Sequence, residues 1–249
     1  MLKVEHLTKV YDDGTVGIED VSFEVGADRF LAVIGLSGSG KSTLLRCINR
    51  LIEPTEGRIL WDGADITAAG QEELRRIRRR IGMVFQHFNL VSRSKVSTNV
   101  LAGRLGYANP ALSLLNHFPE EDLDHGRRAL ERVGLEDKTG ALASDLSGGQ
   151  QQRVGIARAL TQGPEMLLAD EPVASLDPVL AHSIMTHLES INADGVMVLC
   201  SLHFLDLVQQ YSDRAIALYD GRLVFDGAPD EIDDARFKEI YGKEAERVG

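Results

Sequence analysis

The chain has 249 residues, 43% of them hydrophobic, enough to bury the core of one large domain and too apolar to read as disordered. Its 27 Lys and Arg against 38 Asp and Glu leave a formal net charge of -11, which argues against a nucleic-acid partner, because binding a phosphate backbone relies on a basic surface. No apolar run approaches the roughly 18–20 uncharged residues of a membrane-spanning helix, and the opening MLKVEHLTKVY lacks the basic, apolar and small-residue progression of a signal peptide, so a cytoplasmic location is expected.

In chain order, the first thirty residues alternate in character (Leu2, Val4, then Val21, Phe23, Val25) around Asp13-Gly14, which predicts an outer sheet of antiparallel strands joined by a turn. Phe30 to Ile34 is a short continuous apolar run ending at glycine, the pattern of a strand buried on both faces of a parallel sheet. A Gly-rich loop follows, and a helix is expected to open near Lys41. The basic run Arg75-Arg76-Ile77-Arg78-Arg79-Arg80 reads as a solvated helix face on an otherwise acidic surface. Between about residues 88 and 163 no comparable strand is expected. There Glu120 to Val133 and Gln150 to Leu160 carry helical spacing, and the segment reads as an inserted helical subdomain.

Met166 to Ala169 and Val196 to Cys200 are two further buried-strand patterns separated by helical spacing, which is α/β layering. Arg214 to Leu218 and Leu223 to Phe225 flank Asp220-Gly221 as a closing hairpin, followed by a short polar helical tail. Cys47 and Cys200 fall in an expected buried helix and buried strand, with no histidine at metal-ligand spacing, and read as inert core thiols.

Three constellations carry chemistry. Gly35-Leu36-Ser37-Gly38-Ser39-Gly40-Lys41-Ser42, with Thr43 next, fits the P-loop pattern in its required setting of buried strand, loop and helix. Glycines let successive N–H groups curl inward toward phosphate, and the helix adds its positive N-terminal end. Lys41 would then reach the β- and γ-phosphates of ATP and the Ser42 hydroxyl would ligate Mg²⁺; a Gly/Ser-rich surface turn that happens to precede a lysine is the plainer alternative. Asp170-Glu171-Pro172 puts two carboxylates at the carboxyl edge of a buried strand, where ligands of open α/β sheets collect. Asp170 would hold Mg²⁺ through water and Glu171 would act as general base. Leu146-Ser147-Gly148-Gly149-Gln150 precedes a helix, so it is both an ordinary serine cap and a second phosphate-binding surface.

With these motifs in order, the chain resembles the nucleotide-binding subunit of an ABC transporter over essentially its whole length. Residues 35–42 match the family's Walker A motif, Gln86 after Met83-Val84-Phe85 its Q-loop, residues 146–150 its signature and residues 166–171 its Walker B motif. Ala174-Ser175-Leu176-Asp177 matches the D-loop, His203 the switch histidine, and Tyr11 falls where the family stacks an aromatic ring on adenine. Leu202 is a mild departure, because many relatives carry threonine before that histidine.

The resemblance implies an α/β P-loop NTPase core with a mostly parallel sheet, an N-terminal antiparallel β subdomain and an inserted helical subdomain at about 88–163. It implies two copies facing head to tail, with ATP on one P-loop closed over by Ser147 and Gly149 of the other. Gln86 would sense Mg²⁺ and the hydrolytic water, His203 would contact the γ-phosphate, and Asp177 would signal across the dimer. The remaining expected partners are integral membrane permease subunits and, indirectly, an extracytoplasmic solute-binding protein, with the chain peripheral on the cytoplasmic face of the cell membrane.

Gln86 to Val91, Ser97 to Leu101, Asn49 to Gly57 and Glu171 to Pro178 resemble the phosphonate importers, although importers of polar amino acids share much of this wording. The Gly- and Pro-containing stretch Leu101 to Phe118, charged only at Arg104 and running through Leu112 and Leu115, is expected to dock a permease helix. A small-molecule kinase would have no use for the signature or the switch histidine. A soluble ABC ATPase of DNA repair or translation would carry a coiled-coil insertion, zinc cysteines or tandem ATPase domains.

Overall fold

A computed structural model describes residues 1–26, 30–109, 113 and 117–242. Strands β1 (Leu2–Val10) and β2 (Val16–Val25) pair antiparallel with Leu2 opposite Val25, as the alternation at the start of the chain predicts. After β3 (Phe30–Ile34) and helix α1 (Lys41–Ile48), strand β4 (Glu56–Trp61) joins the other edge of β1, and β5 (Ala64–Asp65) joins β4. The small sheet therefore has the order β2-β1-β4-β5. The sequence pattern does not reveal its second half: β4 buries only Ile59 and Trp61, and its first three residues, Glu56-Gly57-Arg58, are exposed.

The large sheet runs β10-β9-β3-β8-β7-β6. It comprises β6 (Ile81–Val84), β7 (Met166–Ala169), β8 (Met197–Ser201), β9 (Arg214–Tyr219) and β10 (Arg222–Gly227) around β3, all neighbours parallel except the closing β9–β10 hairpin. Side-chain alternation on these central strands divides the core in two. Phe30, Ala32, Ile34, Leu167, Ala169, Val198 and Cys200 face one cluster, whereas Leu31, Val33, Leu168 and Leu199 face the other, which they share with the small sheet. Strand β6 also escapes sequence reading. It is four residues long and contains Gly82, where a β-carbon would lie 3.0 Å from the Leu167 side chain and 3.3 Å from Pro164.

Helix α2 (Gln71–Arg79) carries the basic run. Between β6 and β7 come α3 (Val96–Leu101), α4 (Glu120–Arg132) and α5 (Gly148–Thr161), followed later by α6 (Pro178–Ala193), α7 (Leu205–Tyr211) and α8 (Asp234–Tyr241). Among the described residues, no helix is long and apolar enough to cross a membrane.

One sequence expectation changes. The basic run is not simply solvated. Arg76 pairs with Glu72 in water, but Arg78 donates to the Asn49 and Arg50 carbonyls at the end of α1, Arg79 lies over the Tyr107 ring, and Arg80 stacks on Trp61 while pairing with Glu165. Those arginines tie α2 to its neighbours through their planar guanidinium groups. Leu112 and Leu115, the expected docking residues, lie outside the described residues.

Candidate nucleotide site

Strand β3 delivers the chain to Gly35 (φ +139°), and the loop closes at Gly40 (φ +103°), which directly precedes α1. Only glycine fits either position. A β-carbon would lie 2.2 Å from the Leu218 carbonyl oxygen at Gly35 and 2.3 Å from the Gly17 carbonyl oxygen at Gly40. Gly40 supplies no capping side chain and the first turn of α1 holds no acid, so the first N–H groups of α1 stay open toward the loop. Ser39, 5% exposed, has a buried Oγ without a hydrogen-bond partner. An orphaned hydroxyl beside an open helix N-terminus suits an anionic oxygen ligand.

Lys41 is 3% exposed, and its ammonium donates to the carbonyl oxygens of Gly35 (2.9 Å) and Leu36 (2.8 Å). Burial pushes its pKa below the usual lysine value, opposed by the charges of Glu171 and Asp170. Its Nζ lies 3.7 Å from Glu171 Oε1. Next along α1, the Ser42 hydroxyl donates to Asp170 Oδ1 at 2.6 Å. Thr43 Oγ1 lies 2.9 Å from Tyr11 Oη, which brings the expected adenine-stacking ring to the start of this helix.

The carboxylates come from the end of β7. Asp170 is 1% exposed and is met by Ser42, by Arg46 Nη2 at 3.0 Å and by the Ser201 hydroxyl at 3.4 Å. Glu171 follows in the left-handed region (φ +48°), and its Oε1 lies 2.6 Å from His203 Nε2, just beyond β8. Hard oxygen donors from Ser42 and Asp170 fit Mg²⁺, which takes few protein ligands and completes its shell with phosphate and water. Among the described residues there is no group of three His, Cys, Asp or Glu able to hold a metal by itself.

Other expected residues stand apart. Gln86 lies past the end of β6 in a recess with His87, Phe88, Asn89, Gln151 and Ser175. Among the described residues its side chain makes no hydrogen bond to Ser42 or Asp170. Ser147 caps α5 in a reciprocal capping box, its Oγ accepting the Gln150 N–H while its own N–H donates to Gln150 Oε1 at 3.0 Å. Gly148 borders Phe88 and Leu176, and Gly149 packs on Leu180. None of these neighbours belongs to the P-loop. Asp177 is the N-cap of α6, accepting the Leu180 N–H at 3.1 Å. Arg46 and Ser201 were missed by sequence reading, because a basic residue in a helix and a serine at a strand end carry no spacing signal of their own.

A buried ammonium, a paired hydroxyl and carboxylate, and an open helix N-terminus meeting at one strand edge suit a polyphosphate, which sets the protein among the P-loop nucleotide-binding proteins. Within that class the chain belongs to the ABC transporter family, whose profile matches residues 18–174. It is 47% identical over 244 residues to a Phosphonates import ATP-binding protein of Halalkalibacterium halodurans, covering 98% of this chain and 95% of that one. It is 50% identical over 243 residues to the protein of the same name in Bacillus anthracis, covering 97% and 95%. Among solved structures, a dimeric ATP-binding cassette in a post-hydrolysis state with ADP and Pi superposes with a TM-score of 0.81 at 33% identity, covering 92% of this chain and 99% of that one. A component of the cbiONQ ABC transporter complex of Clostridium perfringens gives 0.82 at 31% identity, covering 96% and 92%.

Proposed function

We propose that the chain is the ATP-hydrolysing subunit of a phosphonate importer, working as two copies on the cytoplasmic face of a membrane permease. The observation that carries the ATPase reading is the meeting of Glu171 with His203 and Lys41 at the ends of neighbouring parallel strands. The phosphates of ATP would draw the Lys41 ammonium from the Gly35 and Leu36 carbonyls, and the adenine would stack on Tyr11. The P-loop residues Gly35 to Thr43 would enclose the phosphates. Mg²⁺ held by Ser42 and Asp170, with Gln86 joining, would neutralise phosphate charge.

Glu171 would accept a proton from water as the water oxygen attacks the γ-phosphorus, and the bond to the leaving ADP oxygen breaks. ADP and phosphate are the products, and the proton rests on the Glu171 carboxylate. His203 would keep that carboxylate aimed and contact the γ-phosphate. Glu171→Gln tests this: ATP binding persists, turnover falls at least about 100-fold, and ATP accumulates in a closed dimer. Full hydrolysis would refute the assignment.

The signature supports a two-copy site. Ser147 and Gly148 are exposed, and a β-carbon at Gly148 would meet Phe88 and Leu176 rather than the P-loop, so Ser147 to Gln150 would meet phosphate on a second copy. Asp177, beside that face, would relay its state. The dimeric form of a related cassette supports the same reading.

For the permease, a cavity of about 720 Å³ between α2 and residues 102–108 offers a seat, lined by Arg75, Arg78, Arg79, Leu105, Tyr107 and Gln162. Basic residues without a carboxylate in the lining, on a protein of net charge -11, suit an acidic and partly apolar cytoplasmic segment of the permease. Charge reversal at Arg75 would lower recovery of permease subunits from detergent extracts. Phosphonate as cargo rests on the names and close similarity of the relatives. A solute-binding protein outside the membrane would deliver it.

A further inference from the structure

Ser201 ends β8 with 0% exposure and belongs to none of the motifs. Its Oγ accepts the backbone N–H of Glu171 at 2.8 Å and stands within donating distance of Asp170 Oδ1 (3.4 Å) and the Ala169 carbonyl (3.5 Å). The neighbouring N–H, that of Asp170, is already spent on the Val84 carbonyl across the sheet. Beyond Asp170 the chain leaves the β7 ladder, so the Glu171 N–H must find a partner outside it, and Ser201 is the group supplied. Glu171 sits there at φ +48°, a region a glutamate occupies only when its surroundings hold it.

Two residues further along the same chain, His203 Nε2 meets the Glu171 carboxylate at 2.6 Å. The end of β8 thus grips Glu171 twice, at its backbone through Ser201 and at its carboxylate through His203. We infer that Ser201 is a positioning residue for hydrolysis: its hydroxyl fixes the Asp170–Glu171 peptide so that the carboxylate of Glu171 points at the site of proton transfer. This rests on the reading of Glu171 as the proton acceptor.

Without the hydroxyl, the half-buried Glu171 N–H loses its partner, the left-handed turn relaxes, and His203 alone holds the carboxylate. The P-loop contacts to phosphate stay as they are, so the loss falls on turnover rather than on ATP binding. The test uses Ser201→Ala and, to keep the buried volume, Ser201→Cys, with Ser201→Thr as the variant that retains a hydroxyl. In steady-state assays Ala and Cys lower kcat by about 10- to 100-fold with KM for ATP nearly unchanged. Both accumulate an ATP-bound dimer on size exclusion, as Glu171→Gln does, and Thr recovers most of kcat. Turnover near wild type in Ala or Cys, slow turnover without dimer accumulation, or equal slowness in Thr and Ala would overturn the inference. Should Glu171→Gln itself hydrolyse ATP at full rate, the parent reading fails instead, and the two failures are told apart.

Discussion

Replacing Arg46 with methionine removes the cation that contacts Asp170 Oδ2 at 3.0 Å while keeping most of the aliphatic stem. Breaking a fully buried ion pair costs about 3–5 kcal/mol, and an exposed pair is worth about 0–1 kcal/mol. Here the carboxylate is 1% exposed and the guanidinium 41%, and the Ser42 and Ser201 hydroxyls still serve Oδ1. The expected loss lies between the two limits, about 2 kcal/mol, or about 4–8 °C in Tm for a chain of this size.

The assay is thermal melting with saturating ADP, once in EDTA and once in Mg²⁺. A divalent ion beside Ser42 supplies charge that the variant lacks, so the deficit should shrink by about half in Mg²⁺, and Arg46→Lys should fall between wild type and methionine. An equal deficit in both buffers, or none in EDTA, would refute the view that Arg46 balances the Asp170 charge.

Gly40→Ala should destabilise the nucleotide-free protein by more than about 2 kcal/mol, because its β-carbon would collide with the Gly17 carbonyl. Gly38→Ala, at φ +81° but facing open space, should cost only about 1–2 kcal/mol; equal losses in urea titration would contradict the clash. Lys41→Ala should lose ATP affinity in calorimetry with the fold intact. In the wild type, the Lys41 pKa lies below its unfolded value of 10.5, so ATP affinity should fall as alkaline pH rises through that lowered pKa and Lys41→Ala should show no such fall. The sign for stability is opposite: in the same window the unfolded chain binds the extra proton, so Lys41 by itself makes stability rise with pH. Burial pushes the Cys47 thiol up to about 12 and the Cys200 thiol higher still. Neither should react with a disulfide reagent at pH 8 until urea unfolds the chain, and rapid native-state labelling would contradict their burial.

The motifs were legible because each is local. A phosphate loop needs glycines at fixed offsets between a strand and a helix, so Gly35 to Ser42 announce their geometry within a few residues. Strands buried on both faces, such as β3, β7 and β8, are equally plain as short apolar runs. Strands β4, β5 and β6 were not, because an edge of the small sheet can be half exposed and a four-residue strand with an internal glycine has no period to detect. The arginine run misled for a related reason: composition says that it is charged, but the partners that decide its role are Trp61, Tyr107 and the end of α1, each on another element.

The ordered motifs and the α/β layering belong to the sequence alone, since covalent spacing and residue type are sufficient causes of both. Which side chains hold the carboxylates was decided only in three dimensions. Asp170 meets Arg46 and Ser42 across more than a hundred residues and meets Ser201 across the β7–β8 pairing. Register between parallel strands, which no local pattern encodes, brings Ser201 to the Glu171 amide and His203 to its carboxylate, and that register turns two acids at a strand end into an aimed pair.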